Sequence, residues 1–296
     1  MSKQKRADLL LVVVTAFWGS SYYLSNLCLQ ELPPMWLTSF RFLTAFFLLA
    51  AVFFPHIRRV SAATLKYSLY VSLSLVGCYT FYGYGLTRTS LSNAGFICAL
   101  PVVFTPLLDF VFHRTKPHRK LIICLVLCTA GLGLMTLNEQ FRPRSGDLLC
   151  LGVAFCYAID LLLTEEAVRR ENVDPLALGV CQLGVVGVIT LVLSLFIETP
   201  TLPRTPAVWA SAIFLGIFCT GVAFVIQSVQ QQYTTATHVG LIFTLEPVFS
   251  ATVAFFLAGE RLLPRAYLGA VLMLLSLVLM EIDWPPQEIT RVKPAP

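Results

Sequence analysis

Three ionisable side chains, Arg41, Asp160 and Glu246, stand inside long apolar stretches of this chain. A charge at the centre of a bilayer costs about 2.5–3.5 kcal/mol on insertion scales, so a residue of this kind is paired, reaches water, or has a function. Glu246 is the deepest, about ten residues or roughly 15 Å into its stretch. Pro247 follows it, removes a backbone donor and biases Glu246 away from helical geometry, which predicts a helix break with freed carbonyls. A carboxylate at such a break can hold an ammonium group, carry a proton, or bond structurally to a neighbouring helix. Pro101 is its counterpart in the first half and a second candidate break.

Arg41 lies roughly six residues from the end of its stretch, from where it can snorkel outward, bond a carbonyl of a neighbouring helix, or grip a substrate carboxylate with its fixed fork of donors. Asp160 is about four residues from Thr164, where its stretch gives way to Glu165 and Glu166, so it can reach interfacial water. Tyr157 and Thr164 share its helical face and would extend it into a polar stripe. His238 titrates near neutral pH and can relay protons, or simply serve as a hydrogen-bonding residue at a helix start. Asp109 shares a face with His113 near an interface and reads as an interfacial contact.

Aromatic residues accompany these groups: Trp18 and Tyr22 at i,i+4, Tyr79 and Tyr82 at i,i+3, and Phe243 and Phe249 three residues either side of Glu246. Rings beside a carboxylate suit an ammonium or a ring-bearing solute, although each can equally serve helix packing or lipid contact. Glu246, Trp18, Tyr22, Arg41, Tyr79, Tyr82, Asn93, Tyr157, Asp160, Phe243 and Phe249 are therefore the candidate binding or translocation residues. Glu246 and His238 are the candidate proton carriers.

The elements that must position these residues follow from composition. The 296 residues are 57% hydrophobic and 12% charged, against about 25% charged in a soluble domain, and mean hydropathy is +0.77. A water-soluble globule is excluded. Leu9 to Gln30, Tyr67 to Thr87, Leu121 to Asn138 and Pro175 to Ile197 carry no charge. Met35 to Phe54, Leu91 to Phe112 and Leu148 to Thr164 carry one ionisable residue each. Helices near 206–230 and 236–257 and one over 263–280 complete ten predicted spans. Loop Lys and Arg number fourteen on the side of the N-terminus and six on the other, which predicts both termini in the cytoplasm. The nine Cys are odd in number, scattered through apolar stretches, and read as small packing residues. No metal site, cofactor or nucleic-acid surface is expected, and the polar, Pro-rich tail 283–296 is expected to be disordered.

The two halves echo each other. Asp8–Gly19 resembles Asp147–Ala158 at an offset of 139, Pro34 pairs with Pro175 at 141, and Gly95 with Gly240 at 145. At that last offset Thr89, Asn93 and Pro101 fall opposite Thr234, His238 and Glu246. Five spans per half force the second copy, 139–282, to enter the membrane from the side opposite to the first, 1–138. An inverted repeat suits a carrier whose halves rock about a site near the midplane.

Phe17-Trp18-Gly19-Ser20-Ser21, Pro34 with Arg41-Phe42, the run Thr89 to Phe96, Glu246-Pro247-Val248 and Gly259-Glu260-Arg261-Leu262 stand in the order and separation seen in one family. The chain resembles the EamA-type ten-helix exporters of the drug/metabolite transporter superfamily over nearly its whole length. The resemblance implies a carrier of small metabolites, often amino acids or their derivatives, acting outward across a bacterial cytoplasmic membrane. The second copy departs from the doubled pattern, with Cys156-Tyr157-Ala158 in place of Trp-Gly and Gln182 in place of Arg41.

The expected fold is all-α integral membrane, and the expected function is secondary transport of an amino-acid-like solute or amphipathic amine by a monomer in a lipid bilayer, with protons as a candidate coupling ion. A phosphorylated-sugar or nucleotide-sugar exchanger is the main rival and would call for several cavity cations. A membrane-embedded enzyme would need a nucleophile with its base or a metal cluster, and neither signature is found.

Overall fold

A computed structural model describes residues 3–89, 94, 97–114, 119–136, 145–258 and 263–281. Asn93, Gly95, Gly259 to Leu262 and the tail 283–296 lie outside the described residues. No strand occurs among the described residues.

The helices are α1 (Lys3–Cys28), α2 (Pro34–Val52), the short α3 (Phe54–Ile57), α4 (Ala62–Leu86), α5 (Pro101–His113), α6 (Arg119–Thr136), α7 (Ser145–Val168) and α8 (Pro175–Ile197). They are followed by α9 (Pro206–Gly216), a π-helical turn (Ile217–Val222), α10 (Ala223–Gln230), α11 (Ala236–Phe243), α12 (Glu246–Ala258) and α13 (Pro264–Glu281). Six segments are long and apolar enough to cross a membrane: Lys3–Cys28, Pro34–Val52, Ser145–Val168, Pro175–Ile197, Pro206–Tyr233 and Ala236–Val253. The 25-residue α4 is long enough too but carries many Ser and Tyr residues.

Start signals in the sequence set the helix boundaries. Proline opens α2, α5, α8, α9 and α13, where its missing N–H removes only a donor that has no partner inside the helix. Asp174 caps α8 by accepting from the amides of Leu176 and Ala177, and Ser61, Thr205 and Thr235 cap α4, α9 and α11 in the same way. The expected end of α7 near Thr164 is wrong by one turn. Glu165 and Glu166 stay helical because each pairs with the arginine four residues on, Arg169 and Arg170.

Two helix breaks lie 145 residues apart, at Ala99–Leu100 before Pro101 and at Thr244–Leu245 before Glu246. At the second, the amides of Thr244 and Leu245 bond to Leu241 and Ile242 at 3.2 and 3.1 Å, a tightened i→i−3 pattern, and the helix restarts at Glu246. The break thus falls just before Glu246 rather than at it. Glu246 occupies the first helical turn, where the positive end of the helix dipole favours a carboxylate.

Packing joins the two halves throughout. α2 lies along α8, α6 along α13, and α4 along α7. The start of α2 meets the end of α8, where the Glu198 carboxylate accepts from the amides of Met35 and Trp36, both at 3.0 Å. The start of α6 meets the end of α13 through Lys120 and the Met280 carbonyl at 2.6 Å. Both pairs are therefore antiparallel. α1 crosses α12 at Gly19, where a Cβ would come within 2.5 Å of the Phe249 Cβ.

Candidate functional site

The centre of the bundle is an aromatic cage assembled from both halves. Trp18 of α1 is 7% exposed and fixed by its indole N–H, which donates to the Cys219 carbonyl in the π-helical turn at 2.8 Å. Its ring touches Tyr157 of α7 (centroids 5.7 Å, T-shaped), Phe224 of α10 (5.4 Å) and Phe243 of α11 (4.8 Å). Phe42 then links Phe224 (5.7 Å) to Tyr79 (4.8 Å), and Tyr79 continues to Tyr82 (6.1 Å) and Tyr22. Tyr22 and Tyr82 meet edge to face at 5.9 Å.

The charged residues stand around this cage. Arg41 is 3% exposed; its Nε donates to the Thr220 hydroxyl at 2.8 Å and its guanidinium lies over the Tyr79 ring at 5.3 Å. The snorkelling position allowed by sequence is therefore wrong. The π-helical turn presents Thr220 to Arg41, and the hydroxyl passes the contact to the Leu215 carbonyl at 2.8 Å. Beside Arg41 a narrow cleft, with room for about one water molecule, is lined by Ser25, Thr38, Tyr79, Tyr82 and Gly83. Glu246 stands where α12 begins, its backbone carbonyl against Gly19 of α1. Tyr79 and Tyr82 both line the cleft beside Arg41.

Asp160 departs from its expected interfacial position. It is 1% exposed, because α7 runs on to Val168 and carries it two turns below the helix end. Its carboxylate accepts from Ser74 of α4 and from the Gln227 amide of α10, each at 3.4 Å. Gln227 in turn accepts from the Tyr157 hydroxyl at 3.2 Å, which connects Asp160 to the cage.

Phe249 does not join the cage. The break at Thr244–Leu245 separates it from Phe243, and it packs instead against Gly19 where α1 crosses α12. His238 stands apart from Glu246, two helical turns along the chain. Its amide is capped by Thr235 and its Nε2 is 3.3 Å from the Asp8 carboxylate of α1. At the opposite end of the bundle Asp147, the counterpart of Asp8, accepts from Thr89. Pro101 opens α5 and Pro247 occupies the first turn of α12, so both mark helix restarts.

Phe224, Thr220, Gln227 and Ser74 escaped the sequence reading, which held Phe42 only as part of the Arg41-Phe42 motif. For Gln227 and Thr220 a signal was present, since both are polar residues inside the apolar stretch 206–230. The search there was for charge, and the neutral groups that hold the charges went unremarked.

The geometry can be set beside known proteins. The sequence profile described as the EamA-like transporter family matches twice, over residues 5–137 and 144–282. An uncharacterized transporter of Archaeoglobus fulgidus is 26% identical over 281 residues, spanning 95% of this chain and 87% of that protein. The uncharacterized transporter YvbV of Bacillus subtilis is 24% identical, spanning 97% of this chain and 95% of its own. One solved structure superposes with a TM-score of 0.78 at 15% identity over 94% of this chain and 96% of that chain, a likeness of fold. With two family matches covering nearly all its length and apolar helices around a polar, aromatic centre, the chain is a multi-pass membrane protein that belongs to the EamA-like transporter family.

Proposed function

We propose that the protein is a secondary transporter exporting a zwitterionic, amino-acid-like solute or an amphipathic amine across a bacterial cytoplasmic membrane. The observation that carries this reading is the buried Arg41 guanidinium over the Tyr79 ring, beside a cleft that Tyr82 also lines, in a bundle whose α12 begins on the carboxylate Glu246. A fixed guanidinium fork suits a carboxylate, a mid-membrane carboxylate suits an ammonium, and the neighbouring rings suit the apolar body of an amphipathic solute. Protons compete with the ammonium group for Glu246. A phosphorylated or nucleotide-linked solute would need several cations, and among the described residues Arg41 is the cation that lines the cleft.

In this reading ten spans form two inverted halves, 1–138 and 139–282, with both termini and the tail 283–296 cytoplasmic, and the monomer works by alternating access. The antiparallel pairing of α2 with α8 and of α6 with α13 supports the inversion, as do the two breaks spaced 145 residues apart. Asp8–His238 and Thr89–Asp147, at opposite ends of the bundle, are the corresponding polar latches of the cytoplasmic and outer faces. Asn93 remains a candidate lining residue by its offset from His238.

The test is saturable flux of labelled amino acids and amines in proteoliposomes, with and without a pH gradient. Expected is saturable movement of one class, abolished by Glu246→Gln in protein that still inserts and folds. Movement of phosphorylated solutes alone would overturn the reading.

A further inference from the structure

Asp160, a candidate translocation residue by sequence, is a buried carboxylate whose surroundings are unusual for a structural one. A carboxylate removed from water is ordinarily matched by a cation or by several short hydrogen bonds, since desolvation otherwise exceeds what the contacts return. Asp160 has neither. Among the described residues no positively charged side chain pairs with it, and its two donors, Ser74 and Gln227, are neutral and at 3.4 Å, long for hydrogen bonds. From the elements packed around it, the titratable groups that sense it are Cys78 of α4 and Tyr157 of its own helix, and α10 contributes only Gln227. Asp160 does not line the cleft beside Arg41.

Asp160 is connected in both directions along the bundle. Val168 is eight residues away, about 12 Å along the axis towards the end of α7. In the other direction Gln227 joins Asp160 to the Tyr157 hydroxyl, and the Tyr157 ring touches Trp18 and, at 6.3 Å, Phe243. Gln227 bridges Asp160 to the Tyr157 hydroxyl and belongs to α10, directly beyond the π-helical turn that also holds Arg41 and Trp18. A change of charge at Asp160 alters what Gln227 must donate, and through it how Tyr157 is held against the cage.

We propose that Asp160 is a proton-binding site separate from the substrate cleft, and that Gln227 and Tyr157 link its occupancy to the aromatic cage. The inference rests on the transporter reading for its purpose and on the burial and unpaired environment of Asp160 for its chemistry. The carboxylate takes up one proton from one aqueous side and returns it to the other, with no other bond made or broken. Glu246 then holds the solute, and Asp160 sets the direction in which the solute moves.

The first measurement needs no solute. Infrared difference spectra between low and high pH are recorded on the full chain in lipid nanodiscs for the wild type, Asp160→Asn and Glu246→Gln. Asn keeps the shape of Asp and an oxygen able to accept from both donors, so the fold is retained. A protonated-carboxyl band that is lost in Asp160→Asn and kept in Glu246→Gln is expected. Gln227→Leu should keep this band at a shifted frequency. An Asp160→Asn spectrum identical to the wild type overturns the proposal, whatever the solute proves to be. In proteoliposomes with any labelled amino acid or amine that shows saturable flux, Asp160→Asn should retain solute exchange while accumulation driven by a pH gradient falls to its level without a gradient. Gradient-driven accumulation equal to wild type also overturns it. Absence of flux in the wild type would count against the transport reading and leave the infrared result to decide the proton site.

Discussion

Gly19→Ala is expected to separate two helices that the site needs in contact. The added methyl would lie 2.5 Å from the Phe249 Cβ, 2.8 Å from the Ser250 amide nitrogen and 2.9 Å from the Glu246 carbonyl oxygen. Carbon atoms pack at about 3.5–4.0 Å, so α1 and α12 must part by about 1 Å. Two of the three obstacles are backbone atoms, and a change of rotamer at Phe249 cannot move its Cβ. Overpacking of this kind costs about 1–3 kcal/mol. The displacement also carries Trp18 and Tyr22, the neighbours of Gly19 on α1, away from Phe243 and Glu246. Gly240→Ala is the matched control: its nearest neighbour would be the Leu161 Cδ1 at 3.6 Å, an ordinary contact, and alanine favours the helix by about 0.8–1.0 kcal/mol. Thermal unfolding of both variants in detergent, followed by size-exclusion fluorescence, should show Gly19→Ala melting well below the wild type and Gly240→Ala at or above it. Equal melting temperatures would refute the close crossing of α1 and α12.

Arg41→Lys should weaken binding of a carboxylate-bearing solute more than that of its decarboxylated analogue, since an ammonium replaces a fork; equal losses measured by competition would make Arg41 purely structural. Trp18→Phe keeps the ring contacts but removes the donor to the Cys219 carbonyl, and should destabilise the protein by about 1–3 kcal/mol in thermal unfolding. Glu31 lies in the loop between α1 and α2, where the amide of Arg204, assisted by Thr205, holds its carboxyl below the usual carboxylate range. A carboxyl lowered by folding contributes stability that is complete above about pH 4.3, its unfolded value, and is lost as pH falls through the lower folded value. Glu31→Gln should therefore flatten the acid side of a stability-against-pH curve while leaving its neutral region in shape.

How much of this was legible in the sequence depended on whether a property was local. Pro175 and the charge-free run behind it defined α8 to the residue, because the start signal and the apolar length are both written in consecutive positions. Arg41 and Asp160 stand out for the same reason, but how far each is buried is not local. Burial depends on where a helix stops and on what the next helix offers: the arginine pairs at the end of α7, and the Thr220 hydroxyl that holds Arg41 inside. Phe243 and Phe249 were treated as equivalent flanks of Glu246, and only the break between them showed that a symmetric spacing in sequence does not survive an interrupted helix. The π-helical turn left no start or stop signal, since Ile217–Val222, with Thr220 its polar residue, differs from the helix around it in hydrogen-bond register.

That turn gives the chain a sensitivity to length rather than to residue type. An α-helix advances by about 100° per residue, and the wider turn absorbs part of one such step before α10 begins. Inserting a further residue into Ile217–Val222, which already holds one more than a regular helix would, would rotate everything beyond it by about 100°. Gln227 would then swing off Asp160, and the Gln231 amide would lose the Leu161 carbonyl it holds at 2.6 Å, although no side chain in either contact had been altered. The helix is timed by its residue count, so substitutions in this turn should be tolerated far better than a further insertion.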